Sequence, residues 1–266
     1  MFESLRDLVN QRLPPRLTII QSLTGLLAPP VCALCGARGQ SGDEPWGLDL
    51  CPHCEAACHP PRDLCGRCAE PLTAGSGDCA RCRLHPPAWD SVHCLFVYQP
   101  PVDSMITGLK FSRELVFARV LGTLLARSRL QLREALPECI VPIPLHRQRH
   151  LTRGFNQSAE VARHMAPRMG LRVESRLLQR HRATAAQSGL DAAERARNLA
   201  QAFVVDRRCA CPRRVALLDD VLTTGSTAEA AARTLKAAGC QHVQLWVCAR
   251  ALRHGQHDLG PWTQGE

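Results

Sequence analysis

The sequence lacks any long apolar run, since no segment reaches the ~18 consecutive apolar residues that a membrane-spanning helix needs. The first stretch, Met1 to Leu27, mixes acids, arginines and prolines with short apolar pieces, so we expect no secretory signal peptide. We expect it to form a short amphipathic helix or two. These absences argue against a membrane-spanning protein and against a secreted, disulfide-bonded class.

Lysine is nearly missing, with Lys110 and Lys236 as its only occurrences. Arginine therefore carries almost all of the positive charge, and the formal net charge is +9. This balance favours anionic partners, either phosphorylated metabolites or nucleic acid, without choosing between them. The length of 266 residues allows one α/β domain plus a small module.

Cysteine, in contrast, is abundant, with 15 residues. Without a secretory signal, so many cysteines indicate metal ligands or free thiols in a reducing cytoplasm. Eight of them form four Cys-x-x-Cys pairs, a spacing that lets both sulfurs reach one tetrahedral Zn²⁺. The pairs are Cys32/Cys35, Cys51/Cys54, Cys65/Cys68 and Cys79/Cys82.

We predict two structural zinc sites by joining neighbouring pairs, one from Cys32, Cys35, Cys51 and Cys54, the other from Cys65, Cys68, Cys79 and Cys82. Crossed pairing, with the first and third pairs sharing a metal, stays open at this point. An iron–sulfur cluster is the alternative occupant. The segment has too few apolar residues to fold without such a staple.

One stretch combines a strand, two acids and a loop of small residues. Val215–Leu218 is a short apolar run typical of a central parallel strand, and Asp219 and Asp220 follow it. The loop and an Ala-rich helical pattern over 228–238 come next. Two carboxylates beside an anion loop suit sugar hydroxyls or a divalent metal, and the loop before a helix suits a phosphate. The loop residues are Thr223, Thr224, Gly225, Ser226 and Thr227.

A second block is strongly basic. The apolar run 139–144 is followed by arginines and histidines that match the geometry and charge of phosphate, and we predict a pyrophosphate loop there. Lys110 is a further phosphate candidate, with a solvated lysine at a helix start as the equal alternative. The predicted loop residues are Leu145, His146, Arg147, Arg149, Arg153 and Gly154.

A polar, basic segment over 179–190 lacks core periodicity and is typical of a lid that closes over a phosphorylated substrate. Its candidate contacts are Arg180, Arg182, Thr184 and Gln187. We also predict a helical pattern over 115–125, preceded by residues 109–111, and strands over 93–98, 173–178, 202–205 and 242–249.

The strand–acid–loop stretch resembles the motif with which type I phosphoribosyltransferases bind phosphoribosyl pyrophosphate (PRPP): four apolar residues, two acids, then Thr-Thr-Gly-x-Thr. By that resemblance, Asp219 and Asp220 contact the ribose hydroxyls, and the loop from Thr223 to Thr227 holds the 5-phosphate. The Cys-x-x-Cys quartet and the Val-Pro-Ile-Pro-Leu-His…Arg-Gly-Phe-Asn-Gln block narrow the resemblance to the ComF family of competence and DNA uptake.

The ComF resemblance implies an α/β type I phosphoribosyltransferase-like fold, mostly a parallel sheet with flanking helices, preceded by a double zinc ribbon. The expected division is a helical segment at 1–29, zinc ribbons at 30–87, the phosphoribosyltransferase-like domain at 88–251 and a flexible tail at 252–266.

The same resemblance implies Mg²⁺-dependent transfer from PRPP to an unknown acceptor. It also implies a role in uptake or use of external DNA, with single-stranded DNA or the uptake machinery as candidate partners. The alternative is a non-catalytic protein that binds PRPP for regulation or handles single-stranded DNA.

Overall fold

A computed structural model describes residues 30–40, 47–58, 60–61, 63–72, 77–145, 152–181, 202–206 and 208–252. The predicted N-terminal helical segment and residues 253–266 of the predicted tail lie outside these ranges. The chain divides into two compact units, Met1–Ala57 and Cys58–Glu266. The two clusters of cysteine pairs therefore belong to different units. No helix within the described ranges is both long and apolar enough to cross a bilayer.

The first unit is a small knuckle built on its cysteines. Two isolated antiparallel bridges, Val31 to Arg38 and Gln40 to Leu48, precede helix α1 (Pro52–Ala57). The side-chain amide of Gln40 donates to the carbonyl oxygen of Leu50 at 3.1 Å and to the carboxylate of Glu55 at 2.5 Å. These polar contacts hold a segment with few apolar residues around the sulfur atoms.

The second unit begins with another knuckle, which is joined to the sheet by hydrogen bonds. Its helix α2 (Ala80–Leu84) carries Cys82. The indole N–H of Trp89 donates to the carbonyl oxygen of Arg67 at 2.5 Å, and the Arg67 side chain donates to the carbonyl oxygen of Trp89 at 3.3 Å. The N–H of Val92 donates to the carbonyl oxygen of Gly66 at 3.0 Å. This knuckle is thus built onto the start of the first strand.

The main sheet has five parallel strands in the order β1-β7-β6-β2-β3, and a separate antiparallel pair is formed by β4 and β5. The parallel sheet confirms the predicted fold class. The strands are β1 (Ser91–Val97), β2 (Cys139–Pro142), β3 (Arg172–Val173), β4 (Leu178–Arg180), β5 (Phe203–Val205), β6 (Arg214–Leu222) and β7 (His242–Arg250).

Helices flank the sheet and bury its strands. Strand β6 is central, and Val215, Ala216, Leu217 and Leu218 are each 0% exposed, as a strand covered on both faces requires. The alanines of the last helix pack against one face of the sheet in the main apolar core. The remaining elements are α3 (Val102–Thr107), a π-helix (Gly108–Ser112), α4 (Val116–Gln131), α5 (Gln157–Met169) and α6 (Ser226–Ala237).

Three predicted boundaries were wrong. Strand β6 does not end before the acids but continues through them to Leu222, because its pairing with β7 extends that far. The predicted strand over 173–178 is two strands of different sheets, separated by a turn in which the N–H of Leu177 donates to the carbonyl oxygen of Glu174. The last helix begins at Ser226 rather than at 228, whereas the helical pattern predicted over 115–125 lies at the start of α4.

The close approach of α4 and α5 at Gly122 generates a stability prediction. A Cβ atom at Gly122 would lie 2.7 Å from the carbonyl oxygen of Val161. Replacing a glycine by alanine inside a helix stabilises the helix by ~1 kcal/mol. Forcing the extra methyl group into a packed contact costs ~1–3 kcal/mol. We expect Gly122→Ala to lower the free energy of unfolding by ~1 kcal/mol, measured by urea denaturation followed by circular dichroism. Leu130→Ala, at an exposed position of α4, is the control and should have a smaller effect. An unchanged or higher stability of Gly122→Ala would contradict the close packing.

Candidate functional site

The eight paired cysteines form two clusters, each with four sulfur atoms within 4.8 Å of one another. The clusters are Cys32, Cys35, Cys51 and Cys54, and Cys65, Cys68, Cys79 and Cys82. The neighbour pairing predicted from the sequence is thus confirmed, and the crossed pairing is not formed. The sulfur atoms of Cys35 and Cys51 are 3.7 Å apart, and those of Cys68 and Cys79 are 3.8 Å apart. Tetrahedral coordination with Zn–S bonds of about 2.3 Å gives a sulfur separation of about 3.8 Å, so the arrangement fits zinc.

The backbone around each cluster stabilises thiolate charge. The N–H of Cys79 donates to the sulfur of Cys65 at 3.3 Å. Burial opposes ionisation of Cys65, yet this bond and the backbone donors at Arg67 and Cys68 lower its pKa to about 7. Backbone donors likewise lower the pKa of Cys32 to about 6 against the effect of burial. One thiol of each cluster is thus favoured as a thiolate, the metal-binding form, whereas burial and the neighbouring sulfurs raise the pKa of Cys54 and Cys82, so that a bound cation would be needed to ionise all four.

In the part of the chain that the structure describes, no third group of metal-ligating side chains forms. Cys209 and Cys211 belong to neither cluster and form no disulfide. Four thiolates leave no open position on a tetrahedral ion, so the chemistry of the second unit must come from other side chains.

Those side chains meet at the carboxyl end of β6. The Lys110 ammonium, carried by the π-helix, lies 2.8 Å from Oδ2 of Asp220, whose side chain is only 6% exposed. The Asp220 Oδ1 accepts from the N–H of Val221 at 2.8 Å. Asp219 accepts from the N–H of Asp220 at 2.9 Å and from the hydroxyl of Ser158 at 3.4 Å. Lys110 is therefore not a solvated lysine at a helix start, while its contact with a phosphate stays a prediction.

The two adjacent acids strongly disfavour a second negative charge. Burial and the charge of Asp220 raise the pKa of Asp219 to about 8, although Lys110 opposes the shift. Such perturbed carboxyl groups are concentrated at functional sites. Carboxyl oxygens are hydrogen-bond acceptors, so the pair is suited to hydroxyl donors rather than to a phosphate.

Residues 223–225 join β6 to the N-terminus of α6, and the last two residues of the predicted loop, Ser226 and Thr227, begin the helix. Gly225 is the N-cap residue with φ +83°, and a Cβ there would lie 3.1 Å from the Trp89 ring. Because glycine has no side chain, Gly225 makes no capping hydrogen bond to the first N–H groups of this 12-residue helix. The hydroxyls of Thr224 and Ser226 lie 2.9 Å apart beside them. Helix N–H groups, small hydroxyls and the positive dipole end make an anion cradle.

A buried arginine that sequence reasoning missed holds the start of this loop. Arg250 is 2% exposed and ends β7. Its guanidinium donates to the carbonyl oxygens of Leu222, at 2.6 Å, and Thr223, and forms an ion pair with Glu70. Glu70 follows Cys68 by two residues, so the second knuckle and the loop share one charged anchor. An arginine after an apolar strand was the only signal in the sequence.

A cavity of about 360 Å³ separates the second cluster from the loop. Trp89 lines it together with Thr224 of the loop. On the knuckle side it is lined by Arg81 and Cys82, and Arg233 of α6 lines it as well. The anion cradle is therefore open on the side that faces the knuckle.

The predicted pyrophosphate loop is described only in part. Leu145, Arg153 and Gly154 are placed, whereas His146, Arg147 and Arg149 lie outside the described residues. Arg153 donates to the side chain of Gln157 at 2.7 Å. Gly154 has φ +83°, and a Cβ there would lie 3.3 Å from the Arg113 guanidinium. The described end of this loop therefore adjoins the segment that carries Lys110.

The predicted lid is likewise described only at its first residue. Arg180 ends β4 opposite Phe203 of β5, and its guanidinium carbon lies 5.4 Å from that ring's centroid. Arg182, Thr184 and Gln187 lie outside the described residues. Because β4 and β5 are paired, the two ends of the segment that connects them lie next to each other.

No family model matches the chain. Among curated proteins, the DNA utilization protein YhgH of Escherichia coli K12 is 36% identical over 234 residues, which cover 85% of this chain and 100% of the relative. Competence protein F of Haemophilus influenzae is 33% identical over 195 residues, which cover 70% of this chain and 84% of the relative.

Two solved structures are similar at low scores. One is the glutamine PRPP amidotransferase from Bacillus subtilis complexed with ADP and GMP, with a TM-score of 0.35, 20% identity, and coverage of 49% of this chain and 25% of that chain. The other, from the analysis of an invariant aspartic acid in HPRTs, an asparagine mutant, has a TM-score of 0.33, 13% identity, and coverage of 50% of this chain and 65% of that chain. The sequence relatives are much closer than these structures. Their identity and nearly full coverage show that this chain belongs to the ComF family, together with YhgH and competence protein F.

Proposed function

We propose that the second unit binds PRPP at the carboxyl edge of its sheet. The observation that carries this proposal is the position of the acid pair at the end of β6, directly before the anion cradle of α6. Asp219 and Asp220 accept hydrogen bonds from the ribose hydroxyls, and the loop from Thr223 to Thr227 holds the 5-phosphate. A phosphate site directly beside acceptors for vicinal hydroxyls fits a ribose 5-phosphate.

The basic loop binds the diphosphate of PRPP. Arg153 and Gly154 adjoin the Lys110 segment, which supports placing the diphosphate on the other side of the ribose acids. The rest of the proposed set is Leu145, His146, Arg147 and Arg149. We propose that Arg180, Arg182, Thr184 and Gln187 belong to a lid that excludes water once PRPP is bound.

Holding both ends of PRPP would align its C1 for displacement. The bond from C1 to the diphosphate oxygen breaks, its electron pair leaves with pyrophosphate, and an acceptor lone pair forms the new bond to C1 as the acceptor loses a proton. The arginines neutralise charge on the departing group. Mg²⁺, held by the diphosphate itself, supplies further charge neutralisation when bound. The Lys110 ion pair makes the acid pair an unsuitable metal site.

The names of the relatives, DNA utilization protein and competence protein, support a role in uptake or use of external DNA. We propose single-stranded DNA or the uptake machinery as partners, and the net charge of +9 suits a polyanion. Fifteen cysteines without a disulfide suit a reducing compartment such as the cytoplasm. The second candidate function keeps the PRPP pocket without turnover, which the absence of an evident acceptor base among the described site residues favours.

One prediction concerns Asp219 and Asp220, the two acids of the proposed ribose site. Isothermal titration calorimetry with PRPP and Mg²⁺ should detect binding to the full chain. Asp219→Asn combined with Asp220→Asn should weaken it about tenfold or more, because a charged hydrogen bond contributes ~1.5–3 kcal/mol. Asp63→Asn, at an exposed position with φ +49° that asparagine tolerates, is the matched control. Equal affinity of the double variant and wild type would overturn the ribose assignment.

Pyrophosphate release then separates the two candidate functions. The wild-type protein, PRPP and Mg²⁺ are incubated with free bases, nucleotides and single-stranded DNA in turn. Release that requires an acceptor and is lost in the double aspartate variant supports the transferase. Tight PRPP binding without release under any acceptor supports the non-catalytic protein.

Zinc content tests the clusters. We propose that both hold structural zinc, so metal analysis should find two zinc ions per chain, one for each cluster. Cys65→Ser with Cys68→Ser should lose the second ion, while Cys209→Ser should keep both, because Cys209 belongs to neither cluster. Iron in place of zinc would favour the iron–sulfur alternative, and a single ion in wild type would contradict the two-site assignment.

The Arg250 anchor predicts a large stability effect. Arg250→Met leaves the Glu70 carboxylate and two loop carbonyl groups without their donor. We expect the free energy of unfolding to fall by ~3 kcal/mol, as for other broken buried ion pairs. Arg233→Met breaks an exposed pair with Glu229 and should cost only ~0.5 kcal/mol. Urea denaturation of both variants measures the difference, and equal effects would refute the anchor.

A further inference from the structure

Phe111 holds a large apolar ring in solvent. Its side chain is 72% exposed, and within the described ranges it is the only aromatic residue among the exposed large hydrophobic ones. Single exposed apolar side chains are ordinary on protein surfaces. The ring becomes informative through what lies beside it.

The backbone under the ring is firmly anchored. Phe111 lies in the π-helix Gly108–Ser112, whose residues Gly108 and Leu109 are buried. Lys110, directly before it, forms the 2.8 Å ion pair with Asp220. Short π-helical turns occur frequently at functional sites. The ring is therefore presented to solvent by a segment that is fixed to the proposed ribose acids.

One cation contacts the ring. The guanidinium carbon of Arg153 lies 5.4 Å from the Phe111 ring centroid, within the range of a cation–π contact. Arg113, two residues after Phe111, lies against Gly154, the residue that follows Arg153. An exposed ring beside a guanidinium group disfavours a basic or purely apolar protein partner and favours an anion that also carries a flat apolar surface.

We propose that Phe111 and Arg153 form a stacking platform for a nucleobase at the PRPP site. A phenyl ring donates no hydrogen bond and therefore does not bind a phosphate. The platform must contact a different part of the ligand. A heteroaromatic ring stacks on both phenyl and guanidinium groups. The inference rests on the proposed PRPP site and adds to it the chemical class that meets the ribose there. The base belongs either to a mononucleotide-sized molecule or to a single strand of nucleic acid.

Three labelled or titrated probes distinguish these sources: thymidine 5′-monophosphate, a short oligothymidylate, and an abasic strand of the same length. They are measured on the full chain by calorimetry and fluorescence anisotropy at one fixed salt concentration, because phosphate contacts depend on salt. Phe111→Ala removes the platform, and Phe111→Trp keeps a stacking ring. Leu115→Ala, 44% exposed in the same segment, is the matched control.

We expect Phe111→Ala to weaken binding of a base-bearing probe about five- to hundredfold, since stacking of one base on an aromatic side chain contributes ~1–3 kcal/mol. Phe111→Trp should restore it, and the abasic strand should respond to neither variant. Loss confined to the oligothymidylate identifies a single strand as the source, and loss confined to the monophosphate identifies a small ligand. Equal binding of all probes by wild type and Phe111→Ala would overturn the platform.

PRPP affinity keeps this test separate from the proposed function. Phe111→Ala should bind PRPP as wild type does, because PRPP carries no base. If wild type binds the bases through Phe111 but does not bind PRPP, the platform stands and the PRPP proposal fails. If Phe111→Ala weakens PRPP and the abasic strand as much as the base-bearing probes, the ring acts through Arg153 on phosphate, and the stacking proposal is wrong.

Discussion

The buried guanidinium of Arg250 connects the parts of the second unit that the candidate site needs. It ends β7, pairs with Glu70 beside a cluster cysteine, and donates to the carbonyl oxygens that begin the anion cradle. A knuckle with so few apolar residues depends on its metal for folding free energy. A metal bound there would stabilise the position of Glu70, and hence of Arg250, without contacting a ligand of the site. A structural metal site would in this way support the geometry of the loop.

The charges of the site follow a consistent order. Acids lie at its centre, where burial and mutual repulsion raise the pKa of Asp219 to about 8. Lys110 offsets one of them, and arginines stand on the side of the basic loop. A ligand with a neutral, hydroxyl-rich middle and anionic ends fits this order best, since hydroxyls can donate to the acids while phosphates meet N–H groups and guanidinium groups.

Local patterns predicted most of this unit. The apolar run at Val215, the Cys-x-x-Cys spacing and the glycine before α6 each specify a local structure through sterics or bond geometry, and each lies where it was expected. Arg250 and Phe111 could not be found that way, because their importance arises from contacts with residues distant along the chain. The π-helix was also not predicted, since it lies before the apolar pattern that marks α4. The acids lie inside the strand because β6 pairs with β7 beyond the apolar run.

The two cysteine clusters have different structural roles, because the chain divides between Ala57 and Cys58 and each unit contains one cluster. The second cluster shares its unit with the site and is joined to it through Glu70, Trp89 and Gly66. The first cluster holds together a unit of its own, whose hydrogen bonds from Gln40 stay within that knuckle. Similar spacing therefore does not imply similar roles. Loss of a metal from the second cluster would reach the anion cradle through Arg250, whereas a metal in the first cluster would stabilise the unit that Gln40 helps to hold together.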